Sequence, residues 1–124
     1  MSSLTVTFKP PAKLLSLNDR LHWRPKAQLT AMWVVAARWA ATDALRDNPE
    51  WVPCPVTITV TLPVRDNRRR DPHNLFATVK PCIDGIVIAG VVPDDDSRWV
   101  TTTEPVLHVR GRDVVIHITP RGDR

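Results

Sequence analysis

The sequence predicts an α/β (α+β) fold: one small domain with a mixed β-sheet of about four strands and two main helices. Three observations predict it. Apolar residues alternate with polar ones in Leu4–Phe8 and again in Val56–Leu62. They recur at three- and four-residue spacing between Pro25 and Leu45, and an Asp-Pro helix start at Asp71-Pro72 precedes a strand-like tail. With 124 residues, 43% of them hydrophobic, the chain can fill one core but not two.

The first stretch, Leu4-Thr5-Val6-Thr7-Phe8, stops at Lys9-Pro10-Pro11 and reads as a half-buried outer strand. Ser16 to Lys26 mixes turn formers, cations and tryptophan without periodicity, which is the composition of a loop with a function to serve. From Pro25 to Leu45 the residues Leu29, Met32, Trp33, Ala36, Trp39 and Ala40 form one apolar stripe, so the spacing predicts an amphipathic helix with Trp33 and Trp39 in the core. Asp47-Asn48-Pro49 ends it. In Val56–Leu62 one face carries Val56, Ile58, Val60 and Leu62 and the other three threonines, the clearest strand of the chain.

An arginine-rich loop, Arg65 to Arg70, leads to Asp71-Pro72, an N-cap acid followed by proline at the first helical position. That helix is expected to run to about Ala89, with a stop at Gly90 and a kink or split at Pro81. After the acidic segment Pro93 to Ser97, strands are expected near Arg98–Thr103, Val106–Arg110 and Val114–Thr119, the last two joined across Gly111-Arg112-Asp113. The order is β-α-β-α-β-β with one possible extra strand. His108 and His117 fall in strands and read as ordinary sheet residues.

Charge narrows the function. Lys plus Arg number 17 against 13 Asp plus Glu, a net +4, and most of the cations are Arg, whose planar fork suits phosphate. A polyanion is the implied partner. The two cysteines, Cys54 and Cys82, form no CxxC pair, which points away from a disulfide scaffold or structural zinc and towards a reducing cytosol. The N-terminus lacks a signal-peptide pattern and no apolar run approaches membrane-spanning length, so no membrane partner is expected. GxxxxGK, GxGxxG, HExxH and CxxC are missing, as is any Asp or Glu two residues before a lysine.

The chemistry is concentrated between Arg68 and Asp96. Asp71 at a helix start is accounted for by capping alone, but it stands beside Arg68, Arg69 and Arg70 and ahead of the run Asp94-Asp95-Asp96. Three adjacent carboxylates repel one another and gain little without a cation. Oxygen ligation of that kind suits Mg2+ or Mn2+, which are held by one or two carboxylates together with substrate phosphates. A metal-dependent phosphodiesterase is the expectation, with Lys80 to supply further positive charge. On an unbroken helix His73, Ala77, Lys80 and Asp84 share one face. Asp94 and Asp96 point one way along an extended chain and Asp95 the other. A solvated turn is the alternative reading of the triple.

Arg69-Arg70-Asp71-Pro72-His73-Asn74-Leu75, then Asp84-Gly85, then Ala89-Gly90-Val91-Val92-Pro93-Asp94-Asp95 resembles the central motifs of the RusA Holliday junction resolvases, small dimeric endodeoxyribonucleases common in phages and prophages. Leu17-Asn18-Asp19-Arg20 with His22-Trp23 resembles the loop after the first strand in phage members. The resemblance implies cleavage of four-way DNA junctions by a homodimer with Mg2+ or Mn2+. It makes Asp71 and Asp95 the catalytic, metal-binding carboxylates, Asp94 their neighbour and Lys80 the catalytic lysine, with three residues more than the family's spacing between Asn74 and Asp84. Arg70 matches the arginine before the motif, and Arg68, Arg69, Arg24 and Lys26 are the further candidate DNA contacts. His73 departs from the pattern by replacing an aspartate. A neutral imidazole can ligate Mn2+ but brings no negative charge for Mg2+. Asp96 is a further candidate ligand. Two other outcomes remain open: a branched-DNA-binding relative with weak or no catalysis, and a general metal-dependent nuclease without junction preference.

Overall fold

The structure, a computed structural model, describes residues 3–17 and 23–122. Asn18, Asp19, Arg20 and His22 of the first loop lie outside the described residues. The elements follow the order β1 (Leu4–Phe8), α1 (Trp23–Asp47), β2 (Val56–Val64), a short 3-10 turn (Pro72–Leu75), α2 (Phe76–Ala89), β3 (Val100–Thr102), β4 (Val106–Val109) and β5 (Val114–Pro120). This is the expected mixed α+β domain.

Alternation in the strands becomes a two-layer fold. Leu4 and Val6 of β1, Val56, Ile58, Val60 and Leu62 of β2, and Val114, Ile116 and Ile118 of β5 are buried on one sheet face. The threonines of β1 and β2 and the β5 residues Val115, His117 and Thr119 are on the other face, partly buried to exposed. Strands run β1-β5-β2-β3, with β1 at the edge as expected. β1 and β2 each pair antiparallel with β5. β3 pairs parallel with the start of β2 (Val56–Ile58) and β4 with its end (Thr61–Val64), so the two lie end to end along one edge and the sheet is four strands wide.

That arrangement decides how the last two strands, joined across residues 110–113 as expected, are placed. Gly111-Arg112-Asp113 does not close a hairpin between β4 and β5: both strands pair with β2, one on each side. Arg110, in the left-handed region at φ 57°, starts the crossing, and its N–H donates to the Val64 carbonyl at 2.7 Å. A parallel strand cannot enter a two-residue hairpin with its antiparallel successor across an occupied position.

α1 is longer than expected by two residues at each end, and its buried line is Trp33, Ala37, Ala41 and Ala44. Trp39 is therefore not core. It is 56% exposed, with the Arg38 guanidinium stacked 5.0 Å from its ring centre, while Met32 is 44% exposed. Large apolar residues drew the expected stripe, but small ones face α2. Gly85 of α2 shows why: a Cβ there would stand 2.6 Å from the Val34 carbonyl oxygen and 2.8 Å from the Ala37 Cβ. Only Ala on one helix and Gly on the other permit that approach.

α2 is not split at Pro81, which sits buried inside an unbroken helix. The discontinuity comes earlier, where the 3-10 turn passes into α2 at Leu75-Phe76. Proline removes one intrahelical bond, and burial of its ring against the core offsets that loss. Gly90 at φ 94° ends the helix in the left-handed conformation, and its N–H donates to the last-turn carbonyls.

Candidate functional site

β2 and α2 deliver the two halves of the arginine-rich segment. β2 ends at Val64, the loop Arg65–Arg70 follows, and Asp71 caps the 3-10 turn, with its Oδ1 accepting the His73 backbone N–H at 3.0 Å. The His73 ring lies 5.6 Å from Phe76, tilted by 57°. His73 thus meets Asp71 through its backbone, and the 3-10 turn takes its ring off the α2 register shared by Lys80 and Asp84.

A cleft of about 650 Å3 opens beside Asp71. One part of its wall comes from the arginine loop, including Arg65, Arg68, Arg69 and Arg70; a second comes from Lys13, Leu14 and Ser16 after β1; Pro63 and Leu75 also line it. The second wall is anchored from behind. Trp33 Nε1 donates to the Lys13 carbonyl at 3.1 Å, Thr78 Oγ1 exchanges two 2.7 Å hydrogen bonds with the backbone of Leu15, and the Leu17 N–H donates to the Asn74 carbonyl at 2.8 Å. Arg70 is the least exposed arginine of the loop. It donates to the Asp66 carboxylate at 3.0 Å and the Asp66 carbonyl at 2.7 Å, so it braces the loop. The Arg68 N–H and the Arg70 guanidinium hold the Asp66 carboxyl below its ordinary range. Lys13, Arg65 and Arg69 enter no ion pair among the described residues.

The second cluster joins residues far apart in sequence. Lys80 Nζ, on α2, donates to Asp84 Oδ1 at 2.8 Å and to Asp95 Oδ2. Asp95 sits in the loop after α2, where its own N–H donates to Asp94 Oδ1 at 2.7 Å. Partial burial of the ammonium disfavours its charge, but the hydrogen bonds and charges of Asp84 and Asp95 outweigh that and raise the Lys80 pKa above its ordinary value. Lys80 in turn holds the Asp95 carboxyl below its ordinary 3.8. A depressed carboxylate contributes stability above its unfolded pKa, and that contribution is lost as the pH falls through the folded value. We expect Asp95 to titrate below 3.8 and Lys80→Met to move its midpoint back up, both read by carboxyl carbon NMR. An unchanged midpoint in Lys80→Met would disprove the pairing.

Asp96, beside that cluster, is held by Arg98 rather than by Lys80. Its carboxylate accepts from the Arg98 side chain at 2.8 and 3.2 Å and from the Arg98 N–H at 2.9 Å, which lowers its pKa, while its carbonyl accepts the N–H groups of Trp99 and Val100 at the start of β3. This is the turn-forming role of a short acid. Asp71 and Asp94 are exposed, as are Arg24 and Lys26 in the first turn of α1. Among the described residues no three of His, Cys, Asp or Glu form a group able to hold a metal. Cys82 is no nucleophile, since burial pushes its thiol up to about 12.

Four residues at these clusters were not singled out from sequence. Lys13 and Arg65 line the cleft, and only the fold brings their segments together. Arg98 engages Asp96, a two-residue spacing that could have been noticed beside the acidic run. Arg121 braces the loop after the acids, donating to the carbonyls of Ser97 at 3.0 Å and Arg98 at 2.6 Å and to Thr101 Oγ1 at 2.7 Å. A lone arginine after the last strand carries no sequence signal for that. No protein-family model matches the chain, and no curated protein matches it.

Proposed function

We propose that this protein is a RusA-like, structure-selective endodeoxyribonuclease that resolves four-way DNA junctions by Mg2+- or Mn2+-assisted phosphodiester hydrolysis, as a homodimer, in cytosolic DNA recombination and repair. The observation that carries this reading is the place of Asp71, an exposed carboxylate on a cleft lined by Lys13, Arg65, Arg68 and Arg69. Cations that hold phosphate next to a carboxylate that can hold a divalent ion are what metal-assisted cleavage of a phosphodiester requires.

Mg2+ is commonly held by one or two carboxylates with water and substrate phosphate, so the donors need not form a closed protein cage. Asp71 keeps one carboxylate oxygen outside its cap bond, and Asp95 keeps one outside its bond to Lys80. These two, with Asp94, would hold the ion, and His73 would favour Mn2+ if its ring joined them. A divalent ion held by these residues would lower the pKa of its water towards neutral and offset charge on the phosphate. Arg68 and Arg69 hold the phosphates flanking the cut. Lys80, kept protonated by Asp84 and Asp95, neutralises charge on the leaving oxygen. Arg24 and Lys26 extend the phosphate contacts from the start of α1. One Asp71 per chain and two matched nicks per junction call for two copies about a two-fold axis. Among the described residues no helix is long and apolar enough to cross a membrane.

A second reading, a branched-DNA-binding protein without strong catalysis, is favoured by the double pairing of Lys80 and by the tie of Asp96 to Arg98. Incubation with labelled four-way, flap and linear DNA, with and without Mg2+ or Mn2+, separates the readings. Paired nicks on the junction alone, only with metal, are expected. Binding without nicks in either metal selects the second reading, and equal cutting of linear duplex leaves a general nuclease.

A further inference from the structure

Duplex DNA is read by elements that protrude into it, such as a helix seated in a major groove about 12 Å wide. The cleft beside Asp71 has the opposite shape. It is a half-open hollow of about 650 Å3, the volume of a cube about 9 Å on a side, inside the range of about 300–1,000 Å3 typical of small-ligand sites. A duplex cannot enter it, but a nucleotide can.

Its lining is also of two kinds. Leu14 and Pro63, both partly exposed, offer apolar surface, which the phosphate-covered outside of a duplex would not use and which the face of an unpaired base or a deoxyribose would. Lys13, Arg65 and Arg69 are exposed and pair with no carboxylate among the described residues, so their charge is available to a ligand. Arg70 is different, being committed to Asp66. The cations come from two chain segments, Lys13 after β1 and the loop Arg65–Arg70, so the positive charge is not confined to one loop. Successive phosphates of one strand match that pattern better than a single compact anion does.

We propose that this cleft binds a single unpaired polynucleotide strand, with Lys13 and Arg65 as phosphate-binding residues. The proposal deepens the nuclease reading and rests on it for one consequence: the strand presented to Asp71 is unpaired next to the cut, as at an opened branch point. Strand binding itself does not depend on cleavage.

The test measures binding in EDTA, where no hydrolysis occurs. Fluorescence anisotropy with labelled hexathymidylate and with a labelled hairpin duplex should show the single strand binding about tenfold more tightly, with a salt dependence reporting phosphate contacts. Lys13→Glu and Arg65→Glu should each weaken hexathymidylate binding about fivefold or more, since each reverses a phosphate contact. Arg112→Glu, in the turn between β4 and β5, should leave it unchanged. Trp33 holds the Lys13 carbonyl rather than its side chain, so Lys13→Glu keeps the fold, and an unchanged melting curve verifies this. Duplex binding as tight as single-strand binding, or unaltered affinity in a folded Lys13→Glu variant, would overturn the proposal. Failure of the nuclease reading looks different: Lys13-dependent strand binding persists while no metal supports nicking.

Discussion

Asp71→Asn should abolish cleavage while junction binding in EDTA is kept or tightened. Asparagine has the same shape and is as good a cap, so the bond to the His73 N–H survives and α2 still forms. What goes is the negative charge beside Lys13, Arg65, Arg68 and Arg69, and with it the hold on a divalent ion. Losing one electrostatic group of this kind lowers turnover by about 10²–10³-fold, and a metal ligand is at the upper end of that scale or beyond it. Removing a carboxylate from a cationic cleft also lessens repulsion of phosphate. Single-turnover cleavage and anisotropy on one junction measure both halves. Near-normal turnover would remove Asp71 from the site. Loss of helix content together with binding would show the residue to be only a cap. Asp95→Asn should also lose cleavage, for a compound reason: it forfeits a candidate ligand and leaves Lys80 with Asp84 alone.

Trp33→Ala has the largest expected effect on stability, about 3–5 kcal/mol, against a total of about 5–15 kcal/mol for an ordinary domain. The ring is fully buried and meets Phe8 edge-on at 6.1 Å. Its N–H holds the Lys13 carbonyl, so the change reaches the cleft wall as well as the core. Trp33→Phe separates the two effects. It keeps most of the apolar volume, costs about 1 kcal/mol for the lost hydrogen bond, and frees residues 13–17. Urea unfolding gives the energies, and hydrogen exchange at Leu15 and Leu17, whose N–H groups are bonded to Thr78 and Asn74, reports on the wall. A loss below about 1 kcal/mol in Trp33→Ala would contradict the packing described here.

The strands, the helix start at Asp71 and the stop at Gly90 were legible because each is written in a few neighbouring residues. Period-two alternation in β1 and β2 gives the buried face directly, since successive side chains of a strand must point to opposite sides. The Asp-Pro pair works through its own cap bond, and Gly90 through a φ that other residues resist. The runs Arg68-Arg69-Arg70-Asp71 and Asp94-Asp95-Asp96 also mark, in the sequence alone, the segment that holds most of the candidate site residues.

What the sequence could not decide was which surfaces meet. Trp39 and Trp33 lie on similar helical spacing, and only the closeness of α2 at Gly85 selects the line of Trp33 and the small alanines. β4 and β5 are neighbours in sequence, yet β2 takes the place between them. The pairing of Lys80 with Asp95, and a cleft walled by Lys13 and Arg65, likewise join segments with no local signature of each other. Local structure follows from steric and hydrogen-bond rules acting over a few residues. A site built from distant segments exists only after the core has buried its apolar faces and so placed those segments side by side.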